Sequence, residues 1–262
     1  METTNKYTLF ACSDIHGAYT PWMKVLNEAG FDENNSDHKI IICGDLFDRM
    51  PEAQKVYDFT KDMISKDKLI YIKGNHEQLL LDCINRGYPQ SHDWSNGTAQ
   101  TILDLAPNAQ TFDEACNIVY QKIKDLFKHT VNYVETKRFV FCHGFIPVHC
   151  DDTLPPWHRK NRKYSKMENW REAHQYQWDD ATWLNSYDMV DQGLGIEKCI
   201  VAGHWHASYG RYKTMGRSEF SPYTDFSPFY YDDKLIMIDA CTAYSGKVNC
   251  LVLEDELIYG KC

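Results

Sequence analysis

The sequence predicts an α/β fold built on a mixed or parallel sheet, and three observations predict it. Short apolar runs bounded by Gly, Asp or Asn alternate with helix-patterned stretches along the chain. The runs are continuous in Ile, Val, Leu, Phe and Cys, as strands covered on both faces are. With 262 residues, 43% of them hydrophobic, the chain is large and apolar enough for one sizeable core.

The strand candidates, in order, are 8–12, 40–43, 69–72, 139–142, 200–202, 235–238 and 248–253. The helix candidates are 21–29, 51–65, 77–86 and 112–127. Pro21 and Pro51 suit the first turn of a helix, where the missing N–H is not needed and φ is already set. The informative feature is the set of polar residues at the end of each strand. Asp14 and His16 come after the first, Asp45 and Asp48 after the second, and Asn75 and His76 after the third. His143 comes after the fourth, and His204 and His206 after the fifth. Open α/β sheets bind ligands at the carboxyl ends of their strands, so these side chains are expected on one rim. A glycine stands beside each group (Gly17, Gly44, Gly74, Gly144, Gly203), where a sharp turn and close backbone approach are needed.

Composition narrows the function. The net charge of -9 disfavours a nucleic-acid partner, which selects a basic face, and no apolar run reaches membrane-span length. The segment 1–7 is polar, with no secretory pattern, and a cytoplasmic location is expected. The ten cysteines are scattered, without a CxxC pair, and several sit in the apolar runs, so they are expected as buried thiols in a reducing compartment.

Each motif alone is weak. D-x-H is most often a helix cap beside a surface histidine, and G-D and G-N-H are ordinary turn sequences. G-H-x-H is stronger, because histidines two apart can address one metal. The order decides: Asp14-Ile15-His16-Gly17, Gly44-Asp45-Leu46-Phe47-Asp48-Arg49, Gly74-Asn75-His76-Glu77, His143-Gly144 and Gly203-His204-Trp205-His206 each stand at a strand end.

In that order the motifs resemble the calcineurin-like metallophosphoesterase superfamily, and most resemble the bacterial and phage (lambda-type) branch of its phosphoprotein phosphatases. Trp94, Asn96 and Gly97 resemble a W-x-N-G stretch of the same group, and 238–248 loosely resembles its closing hairpin. The resemblance implies a β-sandwich of two mixed sheets flanked by helices, in one domain over 1–262 with an insertion at about 145–198. It implies two divalent metal ions. Asp14, His16 and His206 would hold the first, Asn75, His143 and His204 the second, and Asp45 would bridge them. Mixed oxygen and nitrogen donors favour Mn²⁺, with Fe or Zn²⁺ also suited. A hydroxide bridging the metals would attack phosphorus. His76, oriented by Asp48, would protonate the leaving oxygen, while Arg49 and Asn75 would hold the phosphate. Glu77 reads as a helix-start carboxylate.

Two departures from that branch stand out: Met50 stands where it has a glycine after Asp48-Arg49, and the G-H-x-H of 203–206, which brings in His206, replaces its G-H-T. A second phosphate-binding arginine is open among Arg159, Arg162, Arg171 and Arg211. The basic and aromatic stretch 157–171 reads equally as a phosphate-chain contact or a solvated insertion, and 221–231 as a cleft lip or a sheet-edge loop. The expected reaction is hydrolysis of phosphate monoesters, with phosphoserine or phosphothreonine proteins as first substrate. Dinucleoside polyphosphates or other nucleotides are the alternative. An inactive scaffold would lack ligands, and none is missing here; a nuclease is disfavoured by the acidic balance and by the Asp48, Arg49 and His76 set.

Overall fold

The structure, a computed structural model, describes residues 6–150 and 163–259. Ten strands form one continuous sheet in two halves. In the first half are β1 (Lys6–Cys12), β2 (His38–Cys43), β3 (Leu69–Ile72) and β4 (Thr130–Val131). In the second are β5 (Val134–Thr136), β6 (Phe139–Cys142), β9 (Cys199–His206), β10 (Phe229–Tyr231) and β11 (Leu235–Asp239). The last strand, β12 (Leu251–Tyr259), pairs antiparallel with both β1 and β5 and so joins the halves. The order is β10-β11-β9-β6-β5-β12-β1-β2-β3-β4, with a separate hairpin of β7 (Val148–Cys150) and β8 (Tyr164–Lys166).

Period-2 alternation explains why these runs are apolar throughout. In β1, Phe10 and Cys12 enter one core while Leu9 and Ala11 enter another. The second of these cores also takes Phe141, Val201, Ile236 and Ile238 from the other half, so the two halves pack face to face. The outer face of the first half is covered by α1 (Tyr19–Glu28), α2 (Ala53–Ser65), α3 (Asn75–Arg86), α5 (Thr98–Leu105) and α6 (Phe112–Phe127), with α4 (Ser91–Asn96) packed on α5. The outer face of the second half is covered by α7 (Gln175–Ala181), α8 (Ser186–Asp191) and α9 (Ala207–Met215), with Trp170, Trp178 and Tyr187 in its core. A short helix, α10 (Thr242–Ser245), precedes β12. The result is the expected sandwich of mixed sheets between helical layers, with its halves continuous through β12.

Several boundaries differ from expectation by a few residues, four of them for an evident local reason. Pro51 lies outside α2, because Glu52 turns its carboxylate to the Thr20 amide and hydroxyl, both at 2.8 Å, and the helix starts after it. The third helix begins at Asn75, because Glu77 accepts the Gly74 amide in a capping interaction. Asn75 and His76 therefore ride on the first helical turn. The strand before His204 and His206 runs on through both, since His206 still pairs with Asp239. The last strand begins at Leu251, three residues late, because Asn249 turns its side chain to the Phe226 and Ile238 carbonyls.

Among the described residues no helix is long and apolar enough to cross a membrane, and no disulfide joins the cysteines. Of the stretch 157–171, Trp157, Arg159, Lys160 and Arg162 lie outside the described residues. The rest is structural: Tyr164 and Lys166 are in β8, Trp170 is core, and Arg171 forms a two-pronged contact with Glu135 at 2.6 and 2.8 Å.

Candidate metal centre

The side chains at the carboxyl ends of β1, β2, β6, β9 and β11 and at the start of α3 meet in one cleft of about 220 Å³. Asp14, His16, Asp45, Arg49, Asn75, His76, His204 and His206 line it, together with Asn96, Trp183, Asp239 and Cys241. His143 lies just beneath, 1% exposed. A larger cavity of about 600 Å³ lies at the opposite ends of β9 and β11, beside Lys198 and Lys234, and holds none of these residues.

Two groups of ligating atoms stand within 4.8 Å of one another: His16, Asp45 and His76, and Asp45, His143 and His204. Asp45 belongs to both. Its Oδ1 accepts the His76 amide at 3.0 Å and lies 3.3 Å from His143 Nε2, while its Oδ2 is 3.8 Å from His16 Nε2. Asp14 lies 3.9 Å from the same His16 nitrogen and accepts the His204 amide at 2.9 Å, a bond that crosses between the halves. His143 Nε2 is 2.8 Å from Asn75 Oδ1. His206 lines the cleft but stands outside both groups.

Backbone carbonyls set the orientation of two histidines. His16 Nδ1 faces the Phe47 carbonyl at 2.9 Å and His143 Nδ1 faces that of Cys43 at 2.8 Å. Each ring then turns Nε2 into the cleft. The backbone is strained where the side chains must converge. Asp14, His16, Asp45, Asp48, Arg49 and His204 all have φ between 48° and 75°, a left-handed conformation that costs non-glycine residues about 1–2 kcal/mol each. Met50 is not among them; the strain falls on Asp48 and Arg49, so the position tolerates a side chain. Gly97 has a reason of its own: with φ +86°, it lies so close to Arg49 that a Cβ would sit 2.8 Å from the Arg49 Cα.

Glu77 does far more than start a helix. It is 1% exposed and accepts from the amides of Asp45 (3.0 Å), Leu46 (2.9 Å) and Gly74 (2.6 Å) and from the Tyr71 hydroxyl (2.7 Å). It therefore fixes the turn that presents Asp45. Asp48 is fully buried, receives His76 Nδ1 at 2.7 Å and the Thr98 hydroxyl at 2.7 Å, and has its own amide bound by Thr101. Neither threonine stands out in the sequence pattern, because both sit on α5, a helix that the strand-end logic does not reach.

The electrostatics sort the rings. Burial, then the charge of His76, pushes His16 down to about 3; burial, then Arg49, pushes His206 down to about 4. Both are neutral and competent to ligate. Burial is the largest influence on His76 and His143 and opposes their protonation, but Asp45 and Asp48 together raise His76, and Asp45, Asp14 and the Cys43 carbonyl together take His143 up to about 10. Asp14 is pushed well up by burial and by Asp239, which itself stands at about 6 through burial. Three buried carboxylates in one cleft call for positive charge.

Among the described residues Arg49 is the sole permanent cation lining the cleft; its Nη2 lies 3.3 Å from His76 Nε2. The other described arginine candidates are committed elsewhere. Arg171 serves Glu135, and Arg211 holds Ser227, Pro228 and Asp225. In the stretch 221–231, Phe229–Tyr231 is the sheet-edge strand β10 and no residue of the stretch lines the cleft; Glu219 and Phe220, just before it, stand against His206.

Known proteins place the chain. Over 244 residues it is 30% identical to the asymmetrical bis(5'-nucleosyl)-tetraphosphatase PrpE of Anoxybacillus flavithermus, covering 82% of this chain and 97% of that protein. It is 28% identical to serine/threonine-protein phosphatase 1 of Salmonella typhimurium, over 47% of this chain and 53% of that one. The chain spans about half the length of several curated relatives it matches, 49% in the case of a PrpE from Halalkalibacterium halodurans. A yeast protein serine/threonine phosphatase shares the fold, with a TM-score of 0.54 at 12% identity over 98% of this chain and 82% of the other. The sequence profile described as calcineurin-like phosphoesterase matches residues 7–237, and with that match the chain belongs to the calcineurin-like phosphoesterase family.

Proposed function

We propose that the chain hydrolyses phosphate monoesters with two divalent metal ions, phosphoserine and phosphothreonine proteins being its first substrate class. The observation that carries the reading is Asp45, one buried carboxylate shared by two groups of ligating atoms. The donor set fits a metal pair: neutral His16 and His206, carbonyl-anchored His143, and buried acids in excess of the cations beside them. Asp14, His16 and His206 would hold one ion, Asn75, His143 and His204 the other, with Asp45 between. Mixed O and N donors favour Mn²⁺, Fe or Zn²⁺ over Mg²⁺. Bound there, the ions would supply Lewis-acid charge and acidify water.

The chain's own groups supply the rest. Arg49, exposed at the cleft mouth, holds phosphoryl oxygens by a forked charge-assisted contact. Asn75, which also lines the cleft, would add its amide to the phosphate contact. Asp45 and Asp48 raise His76 against burial, so it holds a proton more tightly than a free imidazole, for delivery to the leaving oxygen. Asp48, tied to Thr98, fixes the ring. His76 is also within reach of His16 and Asp45 as a ligand; its Nδ1 bond to Asp48 favours the acid role, and Arg49, 3.3 Å from Nε2, opposes protonation of the ring. The proposal extends to one catalytic domain over 1–262, in which the 145–198 segment contributes Trp183 to the cleft.

The names of the PrpE relatives keep dinucleoside polyphosphates as the second reading. One assay separates them: the Mn²⁺-loaded protein against a phosphoserine peptide, para-nitrophenyl phosphate, diadenosine tetraphosphate and a bis-ester, with metal content measured in parallel for wild type and Asp45→Asn. The proposal expects two ions per chain, the peptide as best substrate, and loss of both metal and turnover in the variant. Full metal occupancy in Asp45→Asn at normal rate would refute it. Preference for the tetraphosphate would move the substrate to the second reading.

A further inference from the structure

His206 differs from the other histidines of the cleft. His16 and His143 have their Nδ1 atoms fixed by backbone carbonyls of the sandwich itself. His206 has none: its Nδ1 is buried, and no aligned hydrogen bond from the described residues reaches it. What stands beside it is Glu219, whose Oε1 lies 3.2 Å away. The two side chains are 20% and 23% exposed, so the pair is largely withdrawn from water. Phe220, the next residue, sets the edge of its ring against the same imidazole, 5.1 Å between centroids at 73°.

The segment that carries these two residues is built to hold a position. The Ser218 hydroxyl donates to the Phe220 carbonyl at 2.9 Å, and the Thr224 hydroxyl to the Ser218 carbonyl at 3.2 Å. Further on, Arg211 clasps Ser227 and Pro228, and its Nε lies 3.1 Å from Asp225. Phe220 also packs on Tyr244, at 5.4 Å, just before the last strand.

We infer that Glu219 is a positioning residue for His206, fixing the ring through Nδ1 so that Nε2 is presented to a metal ion in the cleft, with Phe220 as the wall that limits its swing. A carboxylate on the far nitrogen selects the tautomer, orients the ring and raises its basicity as a ligand. This inference rests on the reading of His206 as a ligand. It makes one of the two ions dependent on a surface segment, whereas the other, held by side chains fixed within the sandwich, is not.

The test is Mn²⁺ binding, measured by calorimetric titration and by metal analysis after gel filtration, in wild type, Glu219→Ala, Glu219→Gln and His206→Ala. Removal of such a partner typically weakens a metal site by about 10–100-fold. Glu219→Ala should weaken one Mn²⁺ by about that factor and leave the second as in wild type, with an unchanged melting temperature of the metal-free protein. Glu219→Gln keeps an acceptor for Nδ1–H, so it should stay within a few-fold of wild type. Wild-type affinity for both ions in Glu219→Ala, with one ion lost in His206→Ala, overturns the positioning role and leaves the ligand reading standing. Both ions retained in His206→Ala overturns that reading and this inference with it. Equal losses in the Ala and Gln variants also overturn it, because a plain charge effect is then sufficient.

Discussion

His76 meets Asp48 through one ring nitrogen and Arg49 across the other, at 2.7 and 3.3 Å. A protonated ring and a guanidinium so close repel, and a phosphate oxygen between them would relieve both. The same geometry predicts a dependence on the leaving group. An alkoxide leaves poorly without a proton, whereas nitrophenolate leaves unaided. With metals retained, His76→Asn should therefore lose roughly 10²–10⁴-fold in kcat on a phosphoserine peptide, the usual worth of a positioned acid, and clearly less on para-nitrophenyl phosphate. Arg49→Ala should hurt both substrates alike, since it holds the group they share. Equal losses for His76→Asn on the two would make it a ligand instead, as its place beside His16 and Asp45 permits.

Elements decide how those residues come within reach. The turn at Asp48 and Arg49 lies against the junction between α4 and α5, and Gly97 is the point of contact. A methyl group there must displace the Arg49 backbone, and its φ of +86° is unfavourable for any L side chain. Gly97→Ala should destabilise the fold by about 1–3 kcal/mol and raise KM more than it lowers kcat, because Arg49 moves before the metals do. Denaturant midpoints and steady-state kinetics would show this, and an unchanged KM would count against the assigned contact. At this scale the limits of sequence reading are also visible. The strands are legible because both faces are buried, so an apolar run and a strand coincide, as at Leu69–Ile72 and Phe139–Cys142. The rim residues are legible because they stand directly after those runs. Glu77 and the pair Thr98 and Thr101 are not, since a carboxylate or hydroxyl that holds a turn from within a helix has the same local pattern as one that faces water. Nor is Glu219, because its partner lies 13 residues back in the chain with a helix between.

The whole molecule is bound together away from the cleft as well. Glu135 on β5 takes the fork of Arg171 and, at 2.7 Å, the amine of Lys198, linking the central strand pair to the outer layer. Arg171, chiefly, and Lys198 draw its pKa down to about 2 against the opposing effect of burial. A carboxylate depressed in the folded state adds stability above its unfolded value of about 4.3 and loses it as pH falls toward 2. With Arg171 nearly half exposed, screening leaves about 1 kcal/mol of this at neutral pH. Wild type should then exceed Glu135→Gln in denaturant midpoint at pH 7, with the gap closing between about pH 4.3 and 2. A gap that does not narrow on acidification would show that the triad contributes through shape alone.

The placement of β12 has a consequence for how the protein comes into being. This strand, made after all the others in the sheet, lies between β1 and β5, and among the described residues it is the only strand pairing between the halves. Asp14, Asp45 and Asn75 belong to one side of that seam, and His143, His204 and His206 to the other. During synthesis each half can gather its own apolar residues, but the register that sets the two rims opposite each other waits for residues beyond 250. Loops of this span close slowly. Until that strand has emerged, the nascent chain holds the rim of Asp14, His16, Asp45 and His76 without a fixed register to the rim of His143, His204 and His206, so the cleft between them is assembled last.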